Sequence, residues 1–133
     1  MVKAHLSRAR AADPFHGDAE AALCALSLDH AYQAFETILV RLERGAGLPE
    51  RSGSSWYSAL LADAALVIPG VRPALFAPGA LADWDALLRF RHFLRHAYVL
   101  GLDAEKLASN IDRLERAVSA TDAWLEAVLV GLL

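Results

Sequence analysis

A chain of 133 residues and 14.4 kDa, 56% hydrophobic and 22% charged, has the size of one globular domain and far more apolar content than an intrinsically disordered chain. Its formal net charge of −3 and pI near 5.9 exclude bulk electrostatic adhesion to nucleic acid or anionic lipid, so any such binding has to be local. The lone cysteine, Cys24, excludes an intrachain disulfide and a thiolate metal site, which fits a reducing compartment.

Alanine and leucine supply 27 and 23 residues, valine and isoleucine together only 11, so an all-α fold is expected. Met1 to Pro14 carries Lys3, Arg8 and Arg10 with no apolar run behind them, and residues 1–16 are set apart as an N-terminal segment with freedom to be flexible. No run of about 18 uncharged apolar residues follows, so neither secretion nor a membrane span is expected, and the location expected is the cytoplasm.

Residues 17–133 read as one helical domain. The first predicted helix runs from Gly17 to Arg44, with Leu28, Ala31, Phe35, Ile38, Leu39 and Leu42 recurring at three- and four-residue steps on one face. Gly45 and Gly47 end it, and Gly45 to Ser55 reads as a loop. The second helix is predicted from Ser55 to Ile68, where Pro69 and Gly70 stop it; Pro69, Pro73 and Pro78 make the following stretch a stiff connector. A third helix spans Gly79 to Leu100 and is capped by Gly101. A fourth runs from Asp103 to the end, its buried stripe being Leu107, Ile111, Leu114, Val118, Leu125, Val128, Leu129 and Leu132. Four amphipathic helices hide four stripes only against one another, which predicts an antiparallel four-helix bundle.

The chemistry concentrates in the third helix. Between Arg89 and His96 lie three arginines (Arg89, Arg91, Arg95) and two histidines (His92, His96) and no acid. At about 100° per residue, Phe90, Phe93, Leu94, Ala97 and Leu100 share the core side. Arg91, Arg95 and Tyr98 fall on one outward flank; Arg89, His92 and His96 fall on the other. Such a cluster is self-repelling and would be relieved by an anion, whether a ligand or Asp83, Asp85, Asp103 and Glu105 nearby. A solvated charged face is the plain alternative. His92 and His96 have the i, i+4 spacing of a two-imidazole zinc grip, but three adjacent arginines and the missing third ligand speak against a metal, and no cofactor is expected. Phosphodiester chemistry fits better: an imidazole with pKa about 6.5 takes a proton from a ribose 2′-hydroxyl, and a guanidinium braces charge on phosphorus. One such helix is a shallow convex face, whereas two apposed across a twofold axis make a cleft.

Arg91, four intervening residues and His96, then Tyr98 after one more, resemble the Arg-(four to six residues)-His signature of HEPN-domain ribonucleases. More narrowly they resemble the Arg-x-x-x-x-His-x-Tyr form of HepT-like toxins from MNT–HepT toxin–antitoxin pairs. The stretches Trp56-Tyr-Ser-Ala-Leu-Leu, Val71-Arg-Pro-Ala and Leu88-Arg-Phe-Arg-His carry the likeness through most of Ser55 to Leu133. The resemblance implies a HEPN-like bundle, homodimeric, cutting RNA without a metal, with Arg91 on the scissile phosphate and His96 as acid–base group. Arg89, His92 and Arg95 would support substrate binding. Tyr98 would be the tyrosine to which an MNT-type nucleotidyltransferase antitoxin attaches AMP, adding bulk and negative charge beside the cleft. Two departures qualify the carry-over: His92 stands where members commonly have another polar residue, often Asn, and Arg89, with six residues between it and His96, also satisfies the spacing. The alternative is a non-catalytic module that recruits a nucleotidyltransferase or a nucleotide through the same face.

The remaining marked residues have plain readings. Trp56, Trp84 and Trp124 are packing or interface anchors, Cys24 is a small core residue, and His5, His16 and His30 have no partner at useful spacing.

Overall fold

The computed structural model describes residues 1–96 and 102–131, His96 by its backbone alone. Five helices follow in order: α1 (Val2–Ala11), α2 (Asp18–Gly45), α3 (Trp56–Ala64), α4 (Pro78–His96) and α5 (Ala104–Leu129). The all-α bundle is as expected, and no helix among the described residues is long and apolar enough to cross a membrane.

The fifth helix is the N-terminal segment itself. Residues expected to stand apart form α1, which lies along α2 and α5. Alanines make this possible: Ala9 is fully buried, and its small side chain lets the two backbones approach until Cys24 Sγ donates to the carbonyls of Ala9 (3.7 Å) and Ala12 (3.5 Å). Exposed ion pairs from Lys3 to Asp122 and from Arg10 to Asp112 (2.8 Å) and Glu115 join α1 to α5. Solvent-exposed pairs of this kind are screened and contribute little, so apolar burial does most of the docking.

Acids in the first turn and a glycine at the end bound α2, as the residues dictate. Asp18 and Glu20 face its N-terminal dipole. Gly47, at φ 74°, turns the chain so that its N–H and that of Leu48 close onto the Arg44 and Glu43 carbonyls. Helix α3 ends at Ala64, four residues before the expected Ile68. There a tight turn over Pro69 and Gly70 pairs Ile68 with Arg72, and the Arg72 guanidinium donates to the carbonyls of Asp63, Leu66 and Pro73, each at 3.0 Å. An arginine capping those carbonyls outcompetes one more helical turn. Helix α5 begins at the Asp103 cap, whose carboxylate accepts from Glu105 N (2.9 Å) and Lys106 N (3.3 Å). The expected Gly101 cap and Leu132 lie outside the described residues.

The core sits where α2, α4, α5 and the connector meet. Trp84 of α4, 1% exposed, stacks on Phe35 of α2 with ring centroids 3.7 Å apart and planes 4° from parallel; Tyr32 and Phe76 close on the same pair edge-on and tilted. Its indole N–H donates to Thr121 of α5 at 3.0 Å. Trp124 ties the connector down by donating to the Ala74 carbonyl at 2.8 Å. Leu129, assigned from its spacing to the buried stripe of the last helix, is 85% exposed, because the core ends near Thr121 and the final turns run past it.

Candidate functional site

The core face of α4 is Ala80, Trp84, Leu87 and Leu88, and at the same helical spacing it continues onto Arg91. The expectation that every polar residue of the Arg89–His96 stretch points outward is therefore corrected at Arg91, which is 8% exposed. The apolar face is rotated to match: Phe93, expected in the core, is 44% exposed and lies beneath Lys106 of α5, whose Nζ is 5.5 Å from the ring centroid. Phe90 and Leu94 are half-buried.

A buried guanidinium needs anions, and α2 supplies them. Arg91 Nε donates to Asp29 Oδ1 at 2.8 Å, Nη1 lies 3.5 Å from Glu36 Oε2, and Cζ stands 5.9 Å from the centroid of the Tyr32 ring. Burial, and then the Glu36 carboxylate, push the Tyr32 hydroxyl above its ordinary range. Asp29, Tyr32 and Glu36 recur at three and four residues, two helical turns in all, so one side of α2 presents them together.

These three residues are not marked by the sequence reading, which places the compensating anions beside the arginines at Asp83, Asp85, Asp103 and Glu105. The signal was present: two carboxylates seven residues apart, on the flank of a stripe holding Leu28, Phe35 and Leu39, are costly to bury without a cation. What was missing was the knowledge that α2 and α4 are neighbours.

The other cationic residues part company. Arg89 is exposed and turns back to Asp85 one turn earlier, Nε to Oδ2 at 2.9 Å, so one expected acid does serve it. Asp83 pairs instead with Arg116 of α5 at 3.1 Å. Arg95 is exposed. His92 is exposed beside α3, its ring edge-on to Tyr57 at 5.5 Å and 70°. Arg91 and His92 thus face α2 and α3, while Arg89 turns away from them. The helix carries to His96, whose side chain lies outside the described residues, as does Tyr98; the pairing of His92 with His96 is outside them too. No cluster of three His, Cys, Asp or Glu side chains suited to a metal occurs among the described residues.

The chemical capacity of this arrangement is specific. Asp29 occupies Nε and Glu36 lies beside Nη1, which fixes the plane of the guanidinium against α2 and leaves the N–H groups of Nη2 as the donors for an oxyanion. In a weakly solvated position such donors act more strongly than in water. Glu36 works the other way, because an entering phosphate meets its charge.

His5, expected to lack a partner, faces His30 across the α1–α2 contact with ring centroids 5.4 Å apart. Trp84 and Cys24 are core residues as read; burial raises the Cys24 thiol above its ordinary range.

A family model described as "HepT-like protein" matches residues 23–131, which takes in α3, α4, α5 and nearly all of α2. No curated protein and no solved structure matches the chain.

Proposed function

The chain belongs to the HepT-like family of HEPN proteins, and on that footing we propose that it is a metal-independent endoribonuclease, the toxin of a cytoplasmic toxin–antitoxin pair. The observation that carries this reading is the buried, oriented guanidinium of Arg91, within the family-matched segment and five positions ahead of His96. In the proposed reaction the ribose 2′-oxygen attacks the adjacent phosphorus as His96 takes its proton, the bond to the 5′-oxygen breaks as an imidazolium returns a proton to that oxygen, and a 2′,3′-cyclic phosphate and a 5′-hydroxyl end result. Arg91 neutralises the charge that gathers on the phosphoryl oxygens. Arg89, His92 and Arg95 hold flanking phosphates, and a second copy of the chain completes the cleft. An MNT-type nucleotidyltransferase antitoxin silences the pair by attaching AMP to Tyr98, whose added charge repels the RNA backbone.

One feature favours a second reading. Arg91 faces two carboxylates, so its charge is already more than balanced, as suits a non-catalytic module that binds a nucleotidyltransferase through Arg89, His92 and Arg95.

Cleavage of single-stranded RNA in EDTA separates the two. The ribonuclease reading expects wild-type cleavage that persists in chelator and is abolished in a folded His96→Ala chain. Intact RNA with the wild type, together with a nucleotidyltransferase complex that survives Tyr98→Phe and is lost on replacing Arg89 and Arg95, establishes the binding module instead.

A further inference from the structure

Between the end of α2, the loop after it and the start of α3 lies a cavity of about 200 Å³, apart from the Arg91 contacts but sharing α2 with them. Glu36, which faces Arg91, and Glu43, on the cavity wall, are two helical turns apart and so about 10 Å along one face. A second connection runs through aromatic rings: His92 of α4 meets Tyr57 edge-on at 5.5 Å, and Tyr57 meets Trp56 at 4.5 Å and 41°, with Trp56 lining the cavity.

The wall chemistry narrows the occupant. Val40, Leu48, Pro49 and Trp56 make the apolar part of the lining, and the Trp56 indole supplies a planar ring. Arg51 is spoken for: it forks onto Glu43 with Nε 2.9 Å and Nη2 2.7 Å away and reaches Asp63 at 2.7 Å, which removes it as a phosphate clamp. Glu50, exposed on the loop, is held only by a long 3.4 Å contact to Arg44, so its oxygens remain available as acceptors. Two carboxylates, Glu43 and Glu50, and two guanidiniums, Arg44 and Arg51, leave the wall without net charge, which favours a flat, neutral ring whose N–H donors meet the exposed Glu50 oxygens. Among nucleobases, guanine offers two such donor groups side by side on its pairing edge, matched to the two oxygens of one carboxylate.

We infer that this cavity is a nucleobase subsite, selective for guanine, which takes a base flanking the scissile bond: Trp56 stacks on the ring and Glu50 accepts from its N–H edge. The inference rests on the ribonuclease reading for its place in the reaction, while the subsite itself is defined by binding. A short single-stranded stretch leaves the Arg91 region across His92 and Tyr57 and ends with its base against Trp56. Stacking of this kind, in which unpaired bases are splayed onto aromatic side chains and read along their pairing edges, is how single-stranded RNA is commonly recognised.

The test titrates guanosine monophosphate and cytidine monophosphate into the full chain by calorimetry, with Trp56→Leu and Glu50→Gln as variants and thermal melting as the check on folding. Expected are binding of the guanine nucleotide about tenfold tighter than of the cytosine one, and losses of about tenfold in Trp56→Leu and about fivefold in Glu50→Gln. Glu50 is on an exposed loop, so its variant remains informative if Trp56→Leu melts early. Equal affinity for the two nucleotides, or unchanged affinity in both variants, overturns the inference. So does capture of an arginine-bearing peptide with no nucleotide binding, which makes the cavity a protein-docking site. Cleavage mapping on the same variants keeps the two ideas apart. A wild type that binds guanosine monophosphate and cuts no RNA removes the ribonuclease reading and leaves the subsite. Cleavage with no bias toward guanine at a flanking position, in a chain that binds neither nucleotide, removes the subsite and leaves the ribonuclease.

Discussion

Arg91 of α4 donates through Nε to Asp29 of α2 at 2.8 Å, a bond across 62 positions of sequence that fixes how these two helices face each other. With Glu36 on the same guanidinium, the pair is both a packing element and the centre of the candidate site. Removing Arg91 strands two partly buried carboxylates, so Arg91→Ala is expected to cost about 3 kcal/mol of stability in urea denaturation. Adding Asp29→Asn to that variant should return about 1 kcal/mol; strictly additive losses would mean that the two residues are not coupled. Because the single variant is destabilised, loss of its activity says little about chemistry, and His96→Ala is the cleaner probe.

Trp84, two turns before Arg91 on α4, stacks on Phe35 of α2 and anchors the same junction. Trp84→Ala is expected to lose about 3–5 kcal/mol, the range for emptying a fully buried aromatic site. Thr121→Val keeps the volume but leaves the indole N–H without its acceptor, for a loss of about 1–2 kcal/mol. Equal melting temperatures for Thr121→Val and wild type would show that the hydrogen bond contributes nothing net.

Helix α1 covers Cys24. In the full chain the thiol is buried and held above its ordinary pKa by burial first and then by Glu20 and Asp13, which keeps it protonated and slow to react. Deleting residues 1–16 uncovers it, and labelling by a disulfide reagent is expected to accelerate roughly tenfold or more, with helicity retained elsewhere. An unchanged rate would show that α1 does not shield this face in solution.

The His5 and His30 rings meet where α1 rests on α2, and Arg8 Nη1 lies 3.1 Å from His5 Nδ1. A guanidinium only donates, so that nitrogen carries a lone pair and His5 is neutral. Burial, then Arg8 and His30, lower its pKa below the ordinary 6.5. The unfolded chain therefore binds the proton first. Stability is full above about pH 6.5 and falls as pH drops through that value toward the lowered one. His5→Gln is expected to flatten this fall in denaturation midpoints measured between pH 7 and pH 5; an identical slope in the variant would assign it to other groups.

The helices were legible along the chain because their signals are local: the Gly45–Gly47 stop, the Asp103 cap, and apolar residues at three- and four-residue steps report on a backbone that hydrogen-bonds to itself. The cationic stretch and its likeness to one family were equally plain, since residue type and spacing suffice for both. Which side of α4 is buried was not, because Phe93 and Arg91 compete for the core and the outcome depends on what α2 places opposite. Asp29 and Glu36 make burial of a guanidinium favourable, and no property of residues 89–96 contains that fact. The docking of α1 is of the same kind: a segment of low apolar content joins the bundle because Ala9 fits the space beside Cys24, a match between two surfaces that exists only once both are folded.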